Sequence, residues 1–235
     1  MESDGDLRRI MSIIENVKKL QEDISRVCDE EGRDRGEITL VAASKYVGAD
    51  GIREAYDAGI RHFGENRVGD ALEKMESLPE DITWHMIGHL QRNKVTKVIG
   101  NFAMIQSVDS PRLARKIEGV AGRRDLVQDI LMEVNVSGEE SKYGLEPDAA
   151  LSLLEKIVEM PHLNLRGLMT MAPLTEDMEL VSRVFGDLAR LRDEMEERLG
   201  RELPYLSMGM TNDWPVAIAR GATHLRIGSA IFKGG

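Results

Sequence analysis

The sequence has little cysteine, an excess of acidic over basic residues and no long apolar run. One cysteine, Cys28, among 235 residues excludes an internal disulfide and a metal cluster held by several thiolates, and it suits a reducing compartment. The net charge of −10 argues against general binding to the phosphate backbone of nucleic acids. No apolar run approaches the roughly 18 residues of a membrane span, and no signal-peptide core follows the acidic N-terminus. We therefore expect a cytoplasmic protein without a membrane or nucleic-acid partner.

Three common kinds of catalytic signature are also missing. The histidines at 62, 89, 162 and 224 have no metal-ligand spacing among them, so we predict no metal site. Paired carboxylates at predicted strand ends are sparse, which disfavours glycosidase chemistry. No G-x-S-x-G elbow supports a Ser-His-Asp hydrolase.

Strand and helix patterns alternate along almost the whole chain. Residues 7–30 show apolar side chains at helical spacing and predict an amphipathic helix that lies outside the repeat. Eight short apolar segments follow, each separated from the next by a helical pattern. At this length, the alternation favours a closed (β/α)8 barrel of the TIM type, with an open doubly wound sheet as the alternative. No linker or repeat divides the chain, so we predict one domain over residues 1–235, with segment 1–36 packed on the barrel wall or bottom.

The first predicted strand, residues 39–45, ends in a lysine. Its apolar body is typical of a buried parallel strand, and Lys45 then follows at the carboxyl end. If its side chain points inward like those of Ala43 and Val41, burial lowers its pKa and makes it a nucleophile able to form a Schiff base. The alternative is a lysine whose stem packs on the wall while its ammonium group stays in water.

Polar residues gather at the carboxyl ends of nearly all eight predicted strands, which is where barrels of this kind place their sites. These ends carry Lys45, Asn66, His89, Asp109, Asn135, Thr170, Ser207 and Ser229. The segment 207–211 runs directly into a helix N-terminus. Gly228 allows the backbone to approach a bound anion closely at a second place, and Ser229 adds a hydroxyl there. We predict a phosphate cradle at these last two loops, because free N–H groups and helix dipoles favour anions.

Arg226 lies between two apolar residues of the last strand and, if it points inward, needs an acceptor. A ring nitrogen lone pair or a carboxylate would serve. An ion pair with Glu133 or Glu65 is the structural alternative. The lysine, the cradle and the arginine together fit pyridoxal 5′-phosphate (PLP), which offers an aldehyde, a phosphate and a pyridine nitrogen.

The chain also resembles the pyridoxal phosphate homeostasis protein family, small proteins with an alanine-racemase-like barrel. The resemblance covers nearly the whole sequence and rests on six segments: 41–45 (VAASK), 63–66 (FGEN), 84–91 (WHMIGHLQ), 167–170 (GLMT), 206–210 (LSMGM) and 226–232 (RIGSAIF). Where the family usually has threonine after the lysine, this chain has Tyr46. Where the family usually has tyrosine after Gly-Glu-Asn, it has Arg67. These departures affect the expected mouth of the site and leave the lysine in place.

The resemblance implies that PLP is held as a Schiff base on Lys45, with Arg226 facing the ring nitrogen. The other implied cofactor-binding residues are Asn66, Ser207, Gly228 and Ser229. It further implies a role in intracellular PLP (vitamin B6) homeostasis without catalytic turnover. Because we predict one domain only, we expect a monomer, with PLP and PLP-accepting apo-enzymes as its partners.

Two other functions stay open. A PLP-dependent amino-acid racemase on the same barrel would use Lys45 as one acid/base group and needs a second, for which His85 and Tyr46 are the candidates. A Schiff-base aldolase would need no cofactor and would be colourless, whereas a PLP Schiff base absorbs at about 420 nm.

Overall fold

The computed structural model describes residues 4–139 and 143–233, with side chains from residue 13 onward. The strands are β1 Thr39–Ala43, β2 His62–Glu65, β3 Thr83–Met86, β4 Met104–Val108, β5 Gln128–Glu133, β6 Leu163–Met169, β7 Tyr205–Ser207 and β8 His224–Ile227. The helices in the described part of the chain are α1 Asp4–Glu30, α2 Ala49–Asp57, α3 Val68–Met75, α4 Val95–Val98, α5 Pro111–Arg123, α6 Pro147–Ile157, α7 Met178–Leu199, α8 Trp214–Ala219 and α9 Ser229–Phe232. Two short 3-10 helices lie at Arg35–Glu37 and Arg92–Lys94.

The eight strands form a closed parallel barrel in sequence order. β1 closes it by pairing with β8, with Val41 opposite Arg226 and Ala42 opposite Ile227. The predicted (β/α)8 barrel is confirmed, and the open sheet is wrong. Closure brings the segments after β1 and β8 side by side at one end of the barrel.

Local signals explain several of the helix ends. The Ser110 hydroxyl accepts from Leu113 N. Pro111, at the first position of α5, has no N–H group that would need an acceptor. Asp177 caps α7 in the same way, and Gly200 ends that helix in the left-handed conformation at φ 63°. The Ser-Pro pair at 110–111 predicts a helix that begins there, and α5 confirms it.

Outward-facing strand residues pack against the helices and form most of the apolar core. Examples are Leu40, Phe63, Ile105 and Leu225, all at most 6% exposed. Helix α1 packs over α2, α8 and α9. The Asn16 side chain donates to the carbonyl oxygens of Ile231 and Lys233, at 3.2 and 3.4 Å, so α1 is tied to the end of the described chain.

Three sequence predictions need correction. β1 ends at Ala43, two residues before Lys45, because the chain turns there with Val47 N bonded to Ser44 O. The apolar pattern predicts a strand over residues 129–136, whereas β5 spans Gln128–Glu133, since Val134 leaves the ladder to bridge Leu145. The short helix α9 was not predicted. Among the described residues, no helix is long and apolar enough to cross a membrane.

Candidate functional site

A pocket of about 520 Å³ opens at the carboxyl end of the barrel, beside β1 and β8. Of the predicted binding residues, Lys45, Arg226, Gly228 and Ser229 line it. The segment after β6 (172–175), the segment after β7 (210–213), and Ala43, Tyr46, Val47, Met178, Phe232 and Lys233 form the rest of its wall. Its volume falls in the range of small-molecule sites, and its apolar walls with a few charged groups are typical of them.

Lys45 is exposed at the rim of this pocket, in the turn after β1. Its Nζ lies 5.0 Å from the ring centroid of Tyr46, which is 83% exposed. Of the two positions that the sequence left open, the ammonium group in water is therefore confirmed and the buried one is wrong, because the strand ends before the lysine and the turn carries it out to the rim. An amine at this position can reach a ligand in the pocket from its open side.

The backbone just before Lys45 is anchored by a buried ion pair that sequence reasoning missed. Lys74 of α3 donates to Glu65 Oε1 at 2.7 Å and to the carbonyl oxygen of Ser44 at 3.0 Å. The Ser44 hydroxyl donates to the same Glu65 oxygen at 2.6 Å. The signal in the sequence was a glutamate in an otherwise apolar strand, because a buried carboxylate needs partners.

The loops after β7 and β8 approach each other across the pocket. Gly209 has φ +96°, and a Cβ there would lie 2.7 Å from Ala217 Cβ, so glycine is needed to turn the chain over α8. A Cβ on Gly228 would lie 2.9 Å from the Ala43 carbonyl oxygen, so glycine lets β8 close against β1. The hydroxyls of Ser229 and Thr211 are hydrogen-bonded at 2.9 Å between the two loops. These loops present backbone and hydroxyl groups to the pocket beside Lys45, as the predicted cradle requires.

Arg226 is 5% exposed and lies at the pocket floor. Its Nη1 donates to Ser207 Oγ at 2.7 Å and its Nη2 to Thr170 O at 2.8 Å. Burial lowers its pKa to about 10, while Glu133 acts in the opposite direction. The arginine is therefore still protonated at pH 7. The alternative ion pair with Glu65 is wrong, because that carboxylate bonds to Lys74.

Ser207 accepts from Arg226 and belongs to a chain of hydrogen-bonded polar groups that crosses the barrel interior. Ser207 Oγ donates to Gln106 Oε1 at 2.6 Å, and Gln106 Nε2 lies 3.0 Å from His85 Nδ1. His85 Nε2 lies 3.0 Å from His62 Nδ1. His85 thus faces inward and is hydrogen-bonded through both nitrogens. Gln106 gave no signal in the sequence beyond a polar residue in a buried strand.

A second group of titratable residues lies at the ends of β3, β4 and β5. Burial raises the pKa of Glu133 to about 7, Asp109 adds to that rise, and Arg226 opposes it. Asp109 Oδ2 lies 2.8 Å from His89 Nδ1, and the His89 ring stacks on Tyr143 at 4.6 Å between centroids. In the described part of the chain, no cluster of His, Cys, Asp and Glu is arranged to hold a metal ion.

Asn66 and Ser207 do not line the pocket that holds the other four predicted residues. Asn66 is half-buried and its backbone packs against Gly88, where a Cβ would lie 2.7 Å from the Asn66 carbonyl oxygen. Arg67 is exposed and lies directly before α3, with its Nη1 4.0 Å from Asp70 Oδ2. Contacts of Asn66 and Ser207 with a ligand stay predictions.

Residues 16–234 match the family model described as alanine racemase, N-terminal domain. The pyridoxal phosphate homeostasis protein of Aquifex aeolicus is 43% identical over 223 residues, which is 94% of this chain and 98% of that protein. A crystal structure of an unknown protein from Bifidobacterium adolescentis superimposes with a TM-score of 0.91 at 36% identity, over 99% of this chain and 98% of that chain. The structure of PipY from Synechococcus elongatus with PLP bound gives a TM-score of 0.79 at 35% identity, over 89% and 99% of the two chains.

Proposed function

Because this chain belongs to the alanine racemase N-terminal domain family, with pyridoxal phosphate homeostasis proteins as close relatives over almost its full length, we propose that it binds PLP and serves intracellular PLP homeostasis. The observation that carries this proposal is one pocket that brings together the rim amine of Lys45, the two-loop cradle and the buried guanidinium of Arg226. The relative with PLP bound shares this fold at 35% identity.

The residues present fit the three functional groups of the cofactor. The amine of Lys45 can attack the aldehyde and form a Schiff base with loss of water. The loops around Thr211 and Ser229 offer hydroxyls, and the first N–H groups of α9 have no acceptor within the helix. Arg226 is a donor only, so it suits an unprotonated ring nitrogen. We propose Lys45, Arg226, Gly228 and Ser229 as direct contacts, with Asn66 and Ser207 as the further residues of the set.

When PLP is bound, it contributes an aldehyde and an electron-withdrawing ring. The protein holds the phosphate end between two loops and keeps a protonated arginine at the pocket floor. An arginine opposite the ring nitrogen leaves that nitrogen unprotonated, which weakens the ring as an electron sink. This supports a carrier or regulator more than an enzyme that depends on a stabilised carbanion.

For the racemase alternative, His85 is a poor second acid/base group because both of its nitrogens are engaged inside the barrel. Tyr46 stays as the other candidate, and a stereochemical assay with alanine tests this function directly. We further propose that the chain acts as a single cytoplasmic domain, as a monomer, and that apo-enzymes are the recipients of its PLP.

The proposal is tested by the absorbance spectrum of the purified protein with PLP, before and after borohydride reduction. We expect a band at about 420 nm, its loss on reduction, and a mass increase on the peptide that contains Lys45. Lys45→Ala should lose the band while it retains some PLP held by its phosphate.

Lys97→Ala is the matched control, because Lys97 is an exposed lysine on α4, away from the pocket. It should behave as wild type. A wild-type protein with no band would contradict the PLP function, and a Lys45→Ala variant with an unchanged band would contradict the assignment of this lysine.

A further inference from the structure

We infer that Gln106 and His85 are positioning residues for Arg226, which they hold through Ser207 by a hydrogen-bond chain with one fixed direction. This inference deepens the proposed function, because it concerns how the arginine at the pocket floor is presented to the PLP ring. Neither Gln106 nor His85 lines the pocket, so both act through other residues.

The direction of the chain follows from its arginine end. A guanidinium has donors only, so Arg226 Nη1 donates to Ser207 Oγ at 2.7 Å. Because arginine cannot accept, the single hydroxyl proton of Ser207 goes to Gln106 Oε1 at 2.6 Å. The amide orientation of Gln106 is thereby fixed, and its Nε2 is the donor to His85 Nδ1 at 3.0 Å.

The same logic fixes the tautomer of the histidine. His85 Nδ1 accepts from Gln106 and therefore carries no proton, so the neutral ring has its proton on Nε2. This proton is donated to His62 Nδ1 at 3.0 Å. Burial lowers the pKa of His85 well below its ordinary value, and the nearby His224 and His62 act in the same direction. The neutral form that the chain requires is thus the form that the interior favours.

Because these side chains are buried, the donor and acceptor roles along the hydrogen-bond chain can take only one order. Ser207 and Gln106 are 0% exposed, and His85 is 2% exposed. Buried polar groups without partners are costly, so reversing any one link would leave two donors or two acceptors facing each other. The chain crosses the barrel from β8 through β7, β4 and β3 to β2. With Nη2 also bound to Thr170 O, the guanidinium has both terminal nitrogens anchored and a single orientation toward the pocket.

The first test needs no cofactor. Side-chain ¹⁵N NMR of the protein without PLP should show His85 neutral, with the proton on Nε2, from pH 5 to 8. Gln106→Glu replaces the donor to His85 Nδ1 by a carboxylate, which accepts, so His85 should now take up a proton on Nδ1 within that range. His62 and His224 also face this ring, and burial lowers the pKa of each, so both are neutral at pH 8 in the two proteins. A protonated or Nδ1–H His85 in the wild type would overturn the inference.

The second test measures PLP itself. Gln106→Leu removes the acceptor of the Ser207 hydroxyl, so we expect PLP to bind about three- to tenfold more weakly, as for loss of one hydrogen bond between neutral groups, with a shifted absorbance maximum. Gln106→Glu keeps the acceptor for Ser207 and should restore most of the affinity, with a new pH dependence that follows the protonation of His85.

Gln128→Leu is the matched control, because Gln128 is also a buried glutamine of a barrel strand, yet its amide donates to Phe102 O, Ala103 O and Asp129 O. It should lower stability without a change in the spectrum. Equal spectra and affinities for Gln106→Leu and wild type would overturn the inference while leaving PLP binding intact. A wild type that fails to bind PLP would instead overturn the proposed function.

Discussion

The two faces of the barrel wall carry opposite kinds of side chain. The outward face meets the helices with residues such as Phe63 and Ile105, which belong to one continuous apolar core. The inward face carries His85, Gln106 and Arg226, and its apolar cluster is small, built around Met104, Leu131 and Met169. TIM barrels commonly fill their interior with branched apolar residues. Here, stability resides mainly in the outer layer, and the interior is given over to holding charged and polar groups in place.

Adjacent residues of β4 allow this comparison to be tested on one strand. Ile105 faces outward and is fully buried, while Gln106 faces inward. Ile105→Ala should lower the free energy of unfolding by about 2–5 kcal/mol, because it leaves a cavity in a packed apolar layer. Urea unfolding measures this loss, and PLP affinity of the folded fraction should stay unchanged. A loss below about 1 kcal/mol would show that the outer layer is not the main source of stability.

The same contrast explains how far the sequence could predict the molecule. Outward residues follow from periodicity, so the barrel, the order of its strands and the capped helix α5 were predictable. Lys45, Arg226, Gly228 and Ser229 were predictable as a group, because chain closure brings strands one and eight together. The choice between a buried and a solvated ammonium group of Lys45 could not be made from the sequence, because it depends on a strand that ends two residues early. The polar chain through Gln106 was also beyond the sequence, because its links join residues 19 to 101 positions apart.

Glu133 tests the inward face through the pH dependence of stability. Its pKa is raised from 4.5 to about 7, chiefly by burial. Between these values the folded state holds a proton that the unfolded state has lost, so this residue makes stability fall as pH rises from about 4.5 to 7, and the loss persists above pH 7. A shift of this size corresponds to roughly 3 kcal/mol at most.

Glu133→Gln removes the titrating carboxyl and keeps its size. We expect the variant to be more stable than wild type by about 2 kcal/mol at pH 8 and equal to it near pH 4.5, as measured by urea unfolding at both pH values. Asp109 and Arg226 remain in both proteins, so the difference isolates position 133. Equal stability at pH 8 would mean that the interior accommodates this carboxylate without cost.

Lys74 tests the ion pair with Glu65, where the outward face of the barrel wall departs from its apolar character. Glu65 is fully buried there. One of its oxygens has no hydrogen-bond partner among the described residues, and the other accepts from Lys74 and Ser44. Lys74→Met leaves a buried carboxylate with the serine alone, which is unfavourable. Because Lys74 itself is 13% exposed, water can compensate in part, and we expect a loss of about 1–2 kcal/mol.

The variant also releases the carbonyl oxygen of Ser44, so the turn that carries Lys45 should be less well held and the band at about 420 nm weaker. The double variant Glu65→Gln with Lys74→Met should regain part of the stability, because no charge is then buried without its counterion. It should not regain the absorbance, because the anchor on Ser44 is still missing. Recovery of both would show that Lys74 acts only by neutralising Glu65, and recovery of neither would show that the ion pair is not what stabilises this wall. Lys97→Met, on an exposed position of α4, is the control for the exchange of lysine for methionine.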